Sequence, residues 1–355
     1  MVRALALAQR GLHTTHPNPR VGCVIVKNGE VVGEGFHART GEPHAEILAL
    51  AQAGARAKGA DVYVTLEPCC HQGRTGPCTE ALKAAGVARV IAAMEDPNPL
   101  VAGQGLNALR AAGIKAETGV LEEEAGRLNR GFVSRMTRKR PFLTLKLAMS
   151  LDGRTAMGSG ESRWITGDAA RADAHRLRAE AGAVMTSVET VLADDPELTV
   201  RLVQTARQPD RIVLDTQLRA PLDARVWDGS ARRIAITVRP PADRMAALRA
   251  RGVEVALVGT THQSRVDLSS ALATLGSMEI NEVLVESGPR LAGALLQAKL
   301  VDELVLYVAP SLLGSEARAL AQLPGLDRLD QRLQLRFTDA RLVGEDLRIT
   351  AVPAQ

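Results

Sequence analysis

The chain has 355 residues, 46% hydrophobic content and a formal charge of +4, enough apolar material for two domains with separate cores. No run approaches the ~20 apolar residues of a membrane helix, and aromatics at 2% argue against a protein that grips single-stranded nucleic acid by stacking its bases. Four cysteines make no disulfide framework, and Met1 to Arg10 reads as a short amphipathic helix and not as a signal peptide, so a cytoplasmic location is expected.

After that first helix, Val21 to Val26 and Glu30 to Gly35 flank Lys27-Asn28-Gly29, an Asn-Gly hairpin signal. Pro43 opens a helical pattern that Gly54 closes, Val62 to Leu66 reads as a buried strand, and Pro77 opens a second helix that Gly86 closes. Val87 to Met94 reads as another strand. Gly103-Gln104-Gly105 mimics a dinucleotide fingerprint, but Asp96-Pro97-Asn98-Pro99 stands where that fingerprint needs a strand, so it reads as a turn into a helix. A further helix is expected from Leu121 to about Arg130, and the basic stretch Thr137 to Pro141 sets a domain boundary near residue 140. The alternation of layers predicts an α/β/α sandwich for residues 1–140.

Within this half, His44-Ala45-Glu46, Pro68-Cys69 and Pro77-Cys78 supply three metal ligands and one carboxylate. In zinc deaminases a His and two Cys hold the metal, whose coordinated water is acidified toward a pKa of ~7, and a Glu that is not a ligand shuttles protons. Helix starts beside His44 and Cys78 favour thiolate and anion. The spacing departs from the commoner C-x-x-C, because Gln72 stands where the second Cys would be. The insert from His71 to Gly76 is a basic, Gly-containing loop suited to a phosphate. Spacing alone leaves Cys69 or Cys70 as the ligand, with Cys69 directly after Pro68 as in the motif. It also leaves His71 or Cys70 as a fourth ligand in a closed structural site. Cys23, inside an apolar run, reads as core.

From Phe142 onward, Leu143, Leu145 and Leu147 alternate with Thr144, Lys146 and Ala148, the pattern of a half-polar strand. Further strands are expected at Ala183 to Ser187, Arg211 to Asp215, Arg233 to Val238, Val253 to Val258, Glu282 to Val285 and Glu303 to Val308. Helical stretches separate most of them, which predicts a mostly parallel sheet. Arg336 to Leu342 and Leu347 to Ala351 form an antiparallel hairpin around Gly344-Glu345-Asp346. The turn after Glu282 to Val285 opens a helix and suits a pyrophosphate, and Arg178 and Arg201 offer bidentate forks to a phosphate.

Pro17-Asn18-Pro19-Arg20-Val21-Gly22, His44-Ala45-Glu46 and Glu67-Pro68-Cys69 with His71, Gly73, Arg74 and Thr75 resemble the deaminase domain of riboflavin biosynthesis. The stretches Lys146 to Arg154, Ser162 to Thr166 and Thr190 to Pro196 resemble the pyrimidine reductase half of the same bifunctional family, which has a dihydrofolate-reductase-like fold. The resemblance implies a cytidine-deaminase-like domain over residues 1–140 and an NADPH-dependent reductase over residues 141–355. It implies that His44, Cys69 and Cys78 hold Zn²⁺, Glu46 is catalytic, and Asn18, His71 and Arg74 contact the pyrimidine and ribose phosphate. In the second half it implies an NADPH site of Ala148, Trp164, Thr190, Asp194, Thr216 and Gly288, Pro289, Arg290, Leu291, Ala292, Gly293 and Ala294. Substrate contacts would be Ser162, Arg178, Leu198, Arg201 and Glu286, with Asp194 and Glu286 as candidates for protonation.

The implied reactions are hydrolytic deamination of 2,5-diamino-6-ribosylamino-4(3H)-pyrimidinone 5′-phosphate, then reduction of the ribosyl side chain of 5-amino-6-(5-phosphoribosylamino)uracil to ribityl. A small phosphorylated pyrimidine is therefore the expected partner, with no nucleic acid and no membrane, and the family likeness implies a homo-oligomer. Two other readings compete: a single-activity nucleoside or nucleobase deaminase with a non-catalytic second half, and a structural zinc module that binds nucleic acid.

Overall fold

The computed structural model describes residues 1–71 and 76–354. The chain divides into two compact units, Met1–Lys139 and Arg140–Gln355.

In the first unit the strands are β1 (Gly22–Lys27), β2 (Glu30–Phe36), β3 (Asp61–Val64), β4 (Arg89–Ala92) and β5 (Lys115–Glu117). The helices are α1 (Val2–Gln9), α2 (Ala45–Ala53), α3 (Cys78–Ala84), α4 (Gln104–Ala111), α5 (Glu122–Leu128) and α6 (Arg130–Arg138). The sheet order is β2-β1-β3-β4-β5, antiparallel at β1 and parallel from β3 onward. Cys23, Ile25, Val62, Val64 and Val90 fill its core with Ala49, Leu82, Leu106 and Leu109 from the helices, so Cys23 is a core residue. Helix α2 lies close against β2 because Gly35 has no side chain: a Cβ there would sit 2.3 Å from the Ala45 carbonyl oxygen. That contact fixes where the start of α2, and hence His44, meets the sheet.

The expected single helix ending near Arg130 is interrupted at Asn129. Its side chain accepts from the Arg20 amide at 2.8 Å and donates to the Arg20 carbonyl at 3.0 Å. The helix then resumes as α6 through Arg138, so the basic stretch Thr137 to Pro141 begins inside a helix. Strand β5 is three residues long, too short for an alternation signal.

The second unit contains β6 (Phe142–Ser150), β7 (Arg154–Ala156), β8 (Ala183–Ser187), β9 (Asp210–Leu214), β10 (Arg233–Thr237), β11 (Glu254–Leu257), β12 (Glu282–Glu286), β13 (Glu303–Ala309), β14 (Arg318–Ala319), β15 (Leu335–Val343) and β16 (Asp346–Pro353). Its helices are α7 (Asp168–Ala181), α8 (Val188–Asp194), α9 (Ala242–Ala250), α10 (Leu268–Ser277) and α11 (Pro289–Gln297). The large sheet runs β11-β10-β9-β8-β12-β6-β13-β16-β15, parallel from β11 to β13 and closed by the antiparallel β15–β16 hairpin. Strands β7 and β14 pair separately.

Parallel sheets are covered on both faces, and β6 obeys. Leu143, Leu145 and Leu147 enter one core, each burial stabilising by roughly 1.5–3 kcal/mol. On the opposite face Ala148 packs with Tyr307 and with Ala170, Ala174 and Leu177 of α7. Lys146 is therefore half-buried beneath a helix, not on a solvated face.

Candidate functional site

The first cluster lies where α2, α3 and the segment after β3 meet. His44 is the N-cap of α2 and Cys78 the first residue of α3, while Cys69 follows β3. The ligand-type atoms of these three residues all lie within 4.8 Å of one another. His44 Nδ1 is 3.3 Å from Cys78 Sγ and 3.6 Å from Cys69 Sγ, spacings that suit the edges of a tetrahedron around one small cation. Neither Cys70 nor His71 belongs to the group, so the closed four-ligand alternative has no geometric support among the described residues.

The Cys78 thiol bonds to the Cys69 sulfur and the Cys78 amide donates to it at 3.4 Å, with His44 alongside; together these hold Cys69 well below an ordinary thiol. Glu46 points inward from the first turn of α2, is 3% exposed and does not belong to the ligand group. Burial pushes its carboxyl up to about 7. A buried carboxyl therefore sits beside a His/Cys/Cys set that could hold a cation.

Two supports fix this arrangement. The Glu67 carboxylate accepts the amides of Asp96 (3.1 Å), Gly103 (2.9 Å) and Leu106 (3.0 Å), which ties the Glu67-Pro68-Cys69 segment to the start of α4. Gly105 completes the contact, since a Cβ there would lie 2.1 Å from the Pro68 carbonyl oxygen. The Gly103-Gln104-Gly105 turn thus seats a ligand-bearing segment. The second support is His37, a buried residue that sequence reasoning passed over. Its Nδ1 donates to the Pro43 carbonyl at 3.3 Å, which leaves Nε2 to accept from the Asn18 amide group at 3.0 Å. Asn18 is thereby turned with its Oδ1 unpaired among the described residues, and the Asn129 clamp on Arg20 fixes the same segment. His71 is exposed at the edge of the insert, whereas Arg74 lies outside the described residues.

In the second unit the expected residues gather at the carboxyl ends of neighbouring parallel strands, where ligands of open α/β sheets collect. Ala148 stands on β6, Glu286 ends β12, Gly288 caps α11, Thr190 lies in α8 after β8, and Thr216 follows β9. Arg178 Nε and Nη2 reach the two Glu286 oxygens at 2.5 and 3.1 Å, and its Nη1 reaches the Thr199 carbonyl at 2.8 Å. The fork that the sequence suggested for phosphate is therefore closed on Glu286. Lys146 Nζ stands 3.6 Å from the same carboxylate and 5.7 Å from the centre of the Tyr307 ring. Burial would raise the Glu286 carboxyl, but Arg178 and Lys146 outweigh it and hold it at about 2. Lys146 was invisible in sequence because one Lys in a strand alternation reads as its polar face.

Arg201 is more open: its amide donates to His175 Nδ1 at 2.9 Å and its guanidinium meets Glu197 at 2.7 Å. Ser162 is half-buried and Trp164 is exposed, with the Arg171 guanidinium 4.6 Å from its ring centre. Asp194 ends α8, and its carbonyl accepts from Arg163 at 2.7 Å. Leu198 is buried in a core cluster, so any ligand contact there falls to its backbone. Of the α11 turn, Gly288, Arg290 and Ala294 are exposed, Pro289 and Leu291 are half-buried, and Ala292 is core. Gly293 has a packing reason, because a Cβ there would lie 1.8 Å from the Gln322 carbonyl oxygen.

Residues 141–349 match the family model of the RibD C-terminal domain, and residues 1–94 match that of the cytidine and deoxycytidylate deaminase zinc-binding region. The riboflavin biosynthesis protein RibD of Escherichia coli (strain K12) is 52% identical over 367 residues, covering 100% of this chain and 98% of its own. The chain belongs to the RibD family. Its similarity extends to solved RibD structures: Acinetobacter baumannii RibD, form 1, at 44% identity and TM-score 0.93, covers 100% of this chain and 98% of its own. A Thermotoga maritima diaminohydroxyphosphoribosylaminopyrimidine deaminase/5-amino-6-(5-phosphoribosylamino)uracil reductase, at 34% identity and TM-score 0.87, covers 100% and 97%.

As in the RibD family, a cytidine-deaminase-like unit and a dihydrofolate-reductase-like unit share one bifunctional chain, with zinc and NADPH as cofactors. The donors fit both. One imidazole and two thiols within 4.8 Å are a zinc set. At the β12–α11 junction, Ser287 Oγ is buried without a partner, and nothing lies within 4 Å of a Cβ built at Gly288, which leaves a cradle at a helix start for a pyrophosphate. Among the described residues no helix is long and apolar enough to cross a membrane.

Proposed function

We propose that the first unit deaminates 2,5-diamino-6-ribosylamino-4(3H)-pyrimidinone 5′-phosphate and that the second reduces the ribosyl side chain of the resulting 5-amino-6-(5-phosphoribosylamino)uracil. The observation that carries this reading is the buried Glu46 carboxyl beside the clustered His44, Cys69 and Cys78 donors. When bound, zinc supplies Lewis-acid activation of water at neutral pH and NADPH supplies a hydride.

In deamination a C–O bond forms at the amino-bearing ring carbon, the C–N bond breaks and ammonia leaves. Glu46 takes the proton from water and returns it to the departing nitrogen. Asn18, oriented by His37, holds the pyrimidine edge with its free Oδ1, and His71 and Arg74 are assigned to the substrate's ribose phosphate.

For the reduction, Ala148, Trp164, Thr190, Asp194, Thr216 and the turn from Gly288 to Ala294 are assigned to the dinucleotide. Gly288, Arg290 and the backbone of the turn make contact, while Ala292 and Gly293 set the helix against the core. Ser162, Leu198, Arg201 and Glu286 are assigned to the substrate, with Arg201 at the phosphate. Arg178 keeps Glu286 ionised as a hydrogen-bond acceptor for sugar hydroxyls. In the reduction a C–H bond forms at C1′, the bond from C1′ to the ring oxygen breaks, and Lys146, beside Glu286, is assigned to the negative charge developing on that oxygen before it takes a proton. The protein is assigned to the cytoplasm as a homo-oligomer. Strand β15, at the sheet edge with Phe337 and Leu342 exposed, supplies an apolar face suited to a second copy.

The ligand assignment is tested by zinc content. Cys69→Ser should strip the protein of most of its zinc and of ammonia release, whereas Cys70→Ser should keep both. Zinc lost equally from the two variants would overturn the choice of Cys69.

A further inference from the structure

We propose that an arginine-lined cavity at the carboxyl ends of β9 and β10 receives the 2′-phosphate of NADPH and gives the chain its preference for the phosphorylated dinucleotide. The cavity is about 590 Å³ and is lined by Gln217, Arg219, Pro221, Arg239, Pro241 and Arg244, with no carboxylate among its lining residues. The proposal rests on the NADPH site described above and assigns the cofactor group that those residues leave without a partner.

Placement argues first. The strand order β10-β9-β8-β12 sets the cavity two to three strand spacings from the α11 turn, about 10–14 Å along the carboxyl edge. An adenosine would run in that direction from a pyrophosphate held at Gly288. Thr216 lies between, on the residue before Gln217. The two regions are also electrostatic neighbours, since Arg219 and Arg290 both act on Glu189.

The cations differ in what they are free to do. Arg239 is exposed and has no hydrogen-bond or ion-pair partner among the described residues. Arg219 pairs with Glu189, but both side chains are about half exposed, 47% and 54%, and such pairs hold weakly against a dianion. Arg244 donates to the carbonyls of Leu218 and Ala220 and pins the loop that carries Arg219. Asp215, a buried carboxylate at the start of that loop, accepts the Ala220 amide at 2.8 Å and acts on Arg219 less strongly than Glu189 does. Two available guanidinium forks on a pinned loop match a phosphomonoester, the group that separates NADPH from NADH.

Calorimetric titration of the full, zinc-loaded chain tests this, with NADP⁺, NAD⁺, adenosine 2′,5′-bisphosphate, AMP and ribose 5-phosphate as probes. Arg239→Ala and Arg219→Ala should each weaken NADP⁺ and adenosine 2′,5′-bisphosphate by about ten- to hundredfold, leave NAD⁺ and AMP within about twofold, and spare ribose 5-phosphate. Arg239→Lys should recover part of the loss. Equal loss for NADP⁺ and NAD⁺, or no loss, would overturn the clamp while the NADPH site stands. Selective loss of ribose 5-phosphate would reassign the cavity to the substrate's phosphate. A wild-type chain that bound neither dinucleotide would remove the NADPH site itself.

Discussion

Glu46→Gln is expected to lower the deamination rate by about 10²–10⁴-fold, the usual contribution of a positioned general acid–base group, while zinc content and reduction of the deaminated intermediate stay at wild-type values. The amide keeps the volume of this buried side chain and its ability to accept a hydrogen bond, but it cannot carry the proton. The carboxyl belongs to no ligand group, so the metal should remain. Zinc analysis with separate assays of the two steps decides the matter. Loss of zinc from the variant would make Glu46 a structural or ligating residue, and undiminished ammonia release would remove it from the chemistry.

Arg178→Ala should produce the largest loss of stability, about 3–5 kcal/mol, because it leaves the Glu286 carboxylate buried with only Lys146 at 3.6 Å to compensate. Replacing all three charges, as Arg178→Met with Glu286→Leu and Lys146→Met, should recover most of the deficit, since the cost lies in the unpaired charge. The pH dependence has a defined sign. The folded pKa of Glu286, about 2, lies below the ordinary carboxylate value of 4.5, so this group's contribution is present above pH 4.5 and is lost as pH falls toward 2. The gap between wild type and Arg178→Ala should therefore narrow across that window. Denaturant unfolding at several pH values measures it, and a gap that stayed constant or widened would contradict the ion-pair account.

The grouping of His44, Cys69 and Cys78 was legible in sequence because His, Cys and Glu in H-x-E, P-C and P-C contexts are rare and chemically specific. Choosing between Cys69 and Cys70 was beyond spacing, since adjacent residues point in different directions only once the chain is folded. His37 and Lys146 stayed hidden for a related reason. Each follows or interrupts an ordinary strand, and the side-chain partners Asn18 for His37 and Glu286 and Tyr307 for Lys146 lie far enough along the chain that no local pattern marks them.

The pairing of the Arg178 fork with Glu286 was not legible, because Glu286 approaches it across 108 positions of sequence. The second helix, Arg130–Arg138 with Phe132 buried, was not legible in sequence: the helical pattern was read only to about Arg130, and the basic stretch from Thr137 hid the helix end at Arg138. Gly103-Gln104-Gly105 reads in sequence as a turn into a helix, and α4 starts at Gln104. Its glycine serves close packing against Pro68, a demand visible only from the opposing backbone.

The most direct test of the whole account is a coupled assay on the purified zinc-loaded chain with 2,5-diamino-6-ribosylamino-4(3H)-pyrimidinone 5′-phosphate, recording ammonia release and NADPH oxidation in one sample. Both signals are expected, with oxidation following ammonia after a lag, and chelation of the zinc should silence both until the deaminated intermediate is added, when NADPH oxidation alone returns. Ammonia without NADPH oxidation, or oxidation of NADPH by the undeaminated substrate at the same rate, would contradict two sequential activities on this chain.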